Sequence, residues 1–319
     1  MAFDAGVSSW MGELGRLRDV VRQEVLRAQI AGLPQLSGRD LPGRELLVLD
    51  VGCGQGTQAL HLARAGHQVT GIDSSAQLLA RFAAALASEP AEVAARVALI
   101  EGDGERAPQL AAGPFDLILC HGVLMYLADI GPMLRALSRV AAPDGAISLL
   151  VRNGLAAAMR AGLCADWPAA LAAFDSKDYV NRLGLAARAQ TPADIDQVMA
   201  PLGWRRSAWF GVRVFTDHRD EPAPGPEQLA PMLAAELEAG GRDPYRTVAA
   251  LLHLVYGRRP EVPPERGLRA VLAQPRLLRG GRAAPQAPGI PAGTDSFPEG
   301  RERRILPVLD DGISAPRLG

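Results

Sequence analysis

The chain has 319 residues, 48% of them hydrophobic, and its 34 Lys+Arg against 35 Asp+Glu leave a net charge of −1, which fits a soluble globular protein with ample material for a core. No apolar run approaches the ~18 residues of a membrane span, and Asp4, Glu13, Arg16, Arg18 and Asp19 near the start argue against a secretory leader, so a cytosolic location is expected. The three cysteines (Cys53, Cys120, Cys164) are widely spaced and the five histidines show no HxxxH or HExxH pattern, so neither a disulfide framework nor a protein-held metal is expected.

Residues 10–31 place Leu14, Leu17, Val21, Val25 and Leu26 at helical spacing with charges between them, which predicts one amphipathic helix. The stretch "GLPQLSGRDLPG" then breaks it. Strands are predicted at Leu46–Val51, Gln68–Ile72, Val97–Ile100, Phe115–Cys120 and Ala146–Val151, alternating with helices at Thr57–Ala65, Ser75–Ala87 and Ile130–Ala141. Short Val/Ile/Leu-rich strands alternating with helices imply a parallel sheet covered on both faces.

Past residue 152 the rhythm changes. The Ala-rich stretch Gly154–Ala189 is predicted helical, interrupted at Trp167-Pro168, and Thr191 with Pro192 reads as an N-cap followed by the first helical position. Gly203–His218 supplies two extended segments meeting near Gly211, with Trp204, Trp209 and Phe210 read as core. Helices are expected at 227–240 and 244–256. From Arg259 the chain becomes dense in Pro, Gly and Arg without apolar periodicity, which predicts a largely disordered tail. The expected organisation is a helix and linker over 1–43, a main domain over 44–258 with a helical cap around 154–190, and a tail over 259–319.

The loop Gly52-Cys53-Gly54-Gln55-Gly56 follows the first strand and opens a helix. Glycines suit a tight turn that a ligand approaches closely. Dinucleotide sites carry GxGxxG and seat a pyrophosphate at the helix N-terminus. Here the third glycine comes one residue early and Asp50 precedes the loop, a poor neighbour for pyrophosphate and a good one for a cation. S-adenosyl-L-methionine (SAM), with an ammonium and a sulfonium but no phosphate, fits. Asp73 can accept from ribose hydroxyls, and Asp103-Gly104-Glu105 lies where an adenine edge would be read. A plain tight turn and a dinucleotide site are the competing readings.

"VLDVGCGQGTQALHLARAGHQVTGID" and "FDLILCHGVLMYLADIGPMLRALSRVAAPDGAISLLV" resemble the class I SAM-dependent methyltransferases over roughly 44–152. "GRLRDVVRQEVL", "HGVLMYLAD", "SLLVRNG", "GWRRSAWFGVRVFTDH" and "RDPYRTVAALLHLV" extend a resemblance to the bacterial tRNA 5-carboxymethoxyuridine methyltransferase family over about 15–257. The resemblance implies a Rossmann-like, seven-stranded, mostly parallel α/β sheet with helices on both faces and a helical cap. It implies that Arg18 meets the cofactor's methionine carboxylate, that Gly52, Cys53 and Asp73 form the loop and ribose contacts, and that Gly104 and Glu105 flank the adenine, beside the Asp50, Gly54, Gly56 and Asp103 already read from the residues. His121 would face the methyl-donor region, and Arg152, Asn153 and Arg213 would meet the acceptor. Typical members carry "FHDY" and "YN" where this chain has Phe215-Thr216-Asp217-His218 and Arg152-Asn153, both on the acceptor side.

The expected activity is methyl transfer to a carboxylate or hydroxyl oxygen, with a tRNA wobble uridine as first acceptor. A small-molecule O- or N-methyltransferase and a non-enzymatic SAM-sensing module are the alternatives. A carboxylate acceptor needs no base; a hydroxyl would, and His121 is the candidate.

Overall fold

The computed structural model describes residues 6–37 and 44–258, all within one compact unit, Met1–Gln274. The tail expected over 259–319 and the linker at 38–43 lie outside the described residues. A seven-stranded sheet forms the centre, from β1 (Leu47–Val51), β2 (Gln68–Asp73), β3 (Val97–Glu101), β4 (Phe115–His121), β5 (Ala141–Arg152), β8 (Arg205–Val212) and β9 (Leu251–Gly257). A separate hairpin pairs β6 (Asp178–Val180) with β7 (Ala186–Arg188). The main sheet runs β3-β2-β1-β4-β5-β9-β8, parallel except at β9, which lies antiparallel to both β5 and β8.

The period-two alternation of side chains divides the core into two layers. Val48, Leu117 and Leu119 pack with Leu17, Val21 and Val25 of the Leu17–Ala31 helix. Leu49, Val51, Ile118 and Cys120 face the opposite layer, with Met133, Leu134 and Leu137 of the Gly131–Val140 helix. Both faces of the inner strands are therefore apolar, as their near-continuous hydrophobic sequences require.

Four expectations are corrected. The single helix over 10–31 is two, Val7–Glu13 and Leu17–Ala31, because Gly15 takes φ +75° and Arg16 is extended as the N-cap of the second. The Ala-rich stretch 154–189 is not helical throughout: it holds two helices, Ala157–Leu163 and Trp167–Asp175, broken just ahead of Trp167-Pro168, where the Asp166 carboxylate accepts from the Ala169 N–H at 3.2 Å, and then the β6–β7 hairpin. Gly203–His218 forms one strand, β8, that ends where Arg213 turns the chain with φ +59°. The helix expected at 244–256 is a single 3₁₀ stretch, Tyr245–Val248, followed by β9. Every residue of β9 is buried, and a strand covered on both faces has no periodicity to distinguish it from a buried helix.

The Thr191 cap has the expected form: its hydroxyl and the Asp194 carboxylate exchange bonds with each other's backbone N–H in a capping box. The Ala157–Leu163 and Trp167–Asp175 helices carry exposed apolar side chains, with Leu163, Trp167, Leu171 and Phe174 all more than half exposed.

β9 supplies the test of this layout. Leu254 is wholly buried within it, so Leu254→Ala is expected to cost about 2–5 kcal/mol, read as a lower urea midpoint at unchanged slope. A loss below ~1 kcal/mol, the range of surface substitutions, would contradict a central β9.

Candidate functional site

A cavity of about 490 Å³ opens beside the carboxyl ends of β1, β2, β4 and β5, the edge where open α/β sheets hold ligands. The strand order reverses between β1 and β4, which leaves the space free of a crossover connection. Arg18, Asp50, Gly52, Cys53, Gly54 and Asp73 line it, as do Asp103, Gly104, His121, Arg152 and Arg213.

Three expected residues do not line it. Gly56, at φ +85°, closes the loop against Phe82, whose Cε2 would lie 2.2 Å from an added Cβ. Glu105 sits behind the turn that Asp103 caps by accepting its N–H at 2.9 Å. Asn153 is wholly buried. Its amide donates to the carbonyls of Thr247 (2.9 Å) and Ala249 (2.8 Å) and its oxygen accepts from the Leu155 N–H at 2.9 Å, so it pins the end of β5 to the approach to β9 instead of meeting an acceptor.

One half of the cavity is acidic. The Gly52 and Cys53 N–H groups donate to the Ile72 carbonyl at 2.8 and 3.2 Å. Asp73 accepts from the Gly54 N–H at 2.8 Å and the Ser75 N–H at 2.9 Å, so β2 dictates the loop's shape. Gly54 has φ +57°, and an added Cβ there would meet nothing within 4 Å; the backbone borders open space. Burial, with Asp73 nearby, pushes the Asp50 carboxyl up to about 7. Burial likewise raises the Cys53 thiol, with Asp50 and Asp73 adding to it, so Cys53 is no nucleophile at neutral pH.

The other half is basic. Asp217 meets Arg18 at 3.2 Å, Arg152 at 3.1 Å and Arg213 at 3.3 Å, all four largely buried. Burial alone would raise the Asp217 carboxyl, but Arg213, Arg152 and Arg18 outweigh it and hold the group well below the usual carboxylate range. Burial lowers the Arg213 pKa, and Asp217 opposes that shift, so the guanidinium stays charged. Three cations against one carboxylate leave two positive charges in a space shielded from water, a receptor for anions. At the rim Asp220 meets Arg18 (3.5 Å), Arg160 (3.1 Å) and Arg182.

Two supports hold this arrangement. Glu236, wholly buried, accepts from the N–H groups of Val214 (2.6 Å), Phe215 (3.1 Å) and Thr216 (3.0 Å) and from the Thr216 hydroxyl (2.7 Å), which fixes the loop carrying Arg213 and Asp217. The Val7–Glu13 helix covers the glycine loop: Trp10 donates to the Gln55 side chain at 3.2 Å and stacks with Arg22 at 4.6 Å, while Glu13 reaches Arg182 at 3.5 Å.

The methyltransferase-domain family matches residues 49–149. Over 218 residues the chain is 30% identical to the tRNA 5-carboxymethoxyuridine methyltransferase of Escherichia coli, covering 68% of this chain and 82% of that protein. The chain belongs to the SAM-dependent methyltransferases, in that enzyme's family. It is also 33% identical over 112 residues to a ubiquinone biosynthesis O-methyltransferase from Caulobacter, covering 35% of this chain and 43% of that one. Among solved structures, magnesium protoporphyrin IX methyltransferase from Synechocystis with bound S-adenosylhomocysteine aligns at 16% identity and TM-score 0.48, over 76% of this chain and 85% of that one.

The site of this methyltransferase suits its cofactor: acids at one end for cationic and hydroxyl groups, surplus guanidinium charge at the other for a carboxylate, and between them a loop whose backbone borders open space at Gly54. Asp217, Glu236 and Trp10 escaped the sequence reading. Asp217 follows Arg213 by four residues, inside the Phe215–His218 stretch that the sequence had placed on the acceptor side without giving Asp217 itself a role. Trp204 and Phe210 are buried and Trp209 packs partly buried against the core, as expected: Trp204 donates to Ser138 at 2.9 Å, and Arg246 covers the Trp209 ring at 4.0 Å.

Asp50 gives a pH test. Its folded pKa lies above the unfolded value, so it lowers ligand-free stability as pH rises from about 4 toward 7. Asp50→Asn is therefore expected to raise the melting temperature of the ligand-free methyltransferase at pH ~8 and leave it nearly unchanged at pH ~4. Calorimetry should show S-adenosylhomocysteine, which carries an ammonium, binding more tightly to wild type as pH rises through about 7, a dependence lost in the variant.

Proposed function

We propose that this methyltransferase esterifies a carboxylate-bearing acceptor, with the carboxymethoxy group of a tRNA wobble uridine as the first candidate. The observation that carries this reading is the convergence of Arg18, Arg152 and Arg213 on the single carboxylate of Asp217. Two surplus charges match two carboxylates, one on the cofactor's methionine and one on the acceptor. In this reading Arg18 takes the first, and Arg152 with Arg213 takes the second. Asp50 faces the ammonium, Asp73 the ribose hydroxyls, and Asp103 with Gly104 the adenine edge.

SAM supplies a methyl group already activated on a sulfonium. The protein's task is then to hold the acceptor oxygen in line and exclude water, and positioning of this kind is worth roughly 7–11 kcal/mol. An ionised carboxylate needs no base. It needs directional cations, and guanidinium forks provide them. The E. coli relative named for a tRNA substrate supports the choice of acceptor. A second reading, a small apolar acceptor, draws support from the exposed Leu163, Trp167, Leu171 and Phe174 of the cap.

Methyl-labelled SAM, incubated with the protein and an extract of its host lacking the gene, should leave label in tRNA that mild alkali releases. Label confined to small molecules overturns the wobble-uridine reading. Arg213→Met is expected to raise the acceptor KM by about 30-fold or more, since removing one partner of a buried charge pair costs about 2–5 kcal/mol, with S-adenosylhomocysteine affinity changed far less. An unchanged KM would remove Arg213 from the acceptor site.

A further inference from the structure

A line of hydrogen bonds crosses the sheet behind the cavity. The Gln29 amide nitrogen donates to the Gly211 carbonyl at 3.1 Å, and the Gln29 oxygen lies 2.9 Å from His253 Nδ1. His253 Nε2 lies 2.8 Å from Ser148 Oγ, and the same hydroxyl lies 2.9 Å from His121 Nε2. Ser148 and His253 are wholly buried and Gln29 nearly so. The line joins the Leu17–Ala31 helix, β9, β5 and the end of β4, where His121 borders the cavity.

Its direction follows from its far end. A backbone carbonyl only accepts, so the Gln29 NH₂ faces Gly211 and the Gln29 oxygen faces His253. That oxygen also only accepts, so His253 Nδ1 carries a proton. A neutral His253 then has a bare Nε2, which the Ser148 hydroxyl must fill with its one hydrogen. Ser148 is left with lone pairs for His121, so His121 Nε2 carries the proton and its Nδ1 is bare. Among the described residues that Nδ1 is buried without a partner.

The one way to reverse the line is to place a second proton on His253. None of its hydrogen-bond partners is an acid, and the Phe210 ring packs 5.7 Å away, so nothing stabilises an imidazolium there; burial pushes its pKa down to about 3. Burial, then His253 and Arg22, lower that of His121 as well.

We propose that Gln29, His253 and Ser148 are positioning residues that hold His121 as the neutral imidazole protonated on Nε2, with its buried Nδ1 left bare. His121 donates no proton to a bound molecule, and its Nε2 is closed to the role of base. The inference holds whichever acceptor the enzyme uses.

The test is histidine ¹⁵N resonance spectroscopy on the full-length chain at neutral pH, which distinguishes protonated from bare ring nitrogens. The expected pattern is opposite in the two rings: bare Nδ1 and protonated Nε2 in His121, protonated Nδ1 and bare Nε2 in His253. A protonated Nδ1 in His121, or the same tautomer in both rings, overturns the proposal without any variant. In Ser148→Ala the His121 signals should move toward the average of two tautomers, and Ser148→Thr, which keeps the hydroxyl, should restore them. A His121 pattern unchanged in Ser148→Ala, in a variant that retains the wild-type spectrum elsewhere, also overturns it.

Discussion

Three guanidinium groups cannot share a buried space without an anion among them, and Asp217 is that anion. Its partners come from the Leu17–Ala31 helix, the end of β5 and the loop after β8, so one carboxylate ties together the elements that wall the basic half of the cavity. Removing one partner from a buried pair leaves an uncompensated charge and typically costs about 3–5 kcal/mol. Much of the shape of the site follows from this need. The loop that carries Asp217 is held by Glu236, and Arg213 accepts a left-handed backbone to reach it.

The bonds are incomplete in a telling way. Among the described residues the Nε atoms of Arg18 and Arg213 are buried without partners, and each such group costs about 1–3 kcal/mol. Elsewhere in the molecule buried polar atoms are mostly satisfied, as Asn153 and Glu236 illustrate. Departures from that rule are expected where a protein has been shaped for a ligand. They coincide here with the surplus positive charge.

How much could be read from the amino acids depended on distance along the chain. The glycine loop, Asp50 and Asp73 fall within some two dozen positions, and each element there has a local cause: an apolar strand, residues tolerant of positive φ, a capping Ser75. The parallel half of the sheet was legible for the same reason. β9 was not, because "LLHLV" is buried on both faces and carries no period. The basic half was legible only residue by residue. Arg18 and Arg152 find Asp217 at 199 and 65 positions' remove, and no spacing rule reaches that far. Asn153 shows the opposite error: next to Arg152 in sequence, it leaves the strand to cap the turn that follows and bonds the Thr247 and Ala249 carbonyls.

The 199 positions between Arg18 and Asp217 also set a timetable. A ribosome adding about 5–20 residues per second needs roughly 10–40 s to cover that interval. For that time the second helix exists with its arginine and no counter-charge, and the glycine loop exists without its basic neighbours. β9, which must slot between β5 and β8, is later still. The nascent chain therefore carries its cofactor loop well before the arginines and Asp217 that form the basic half of the cavity are all in place.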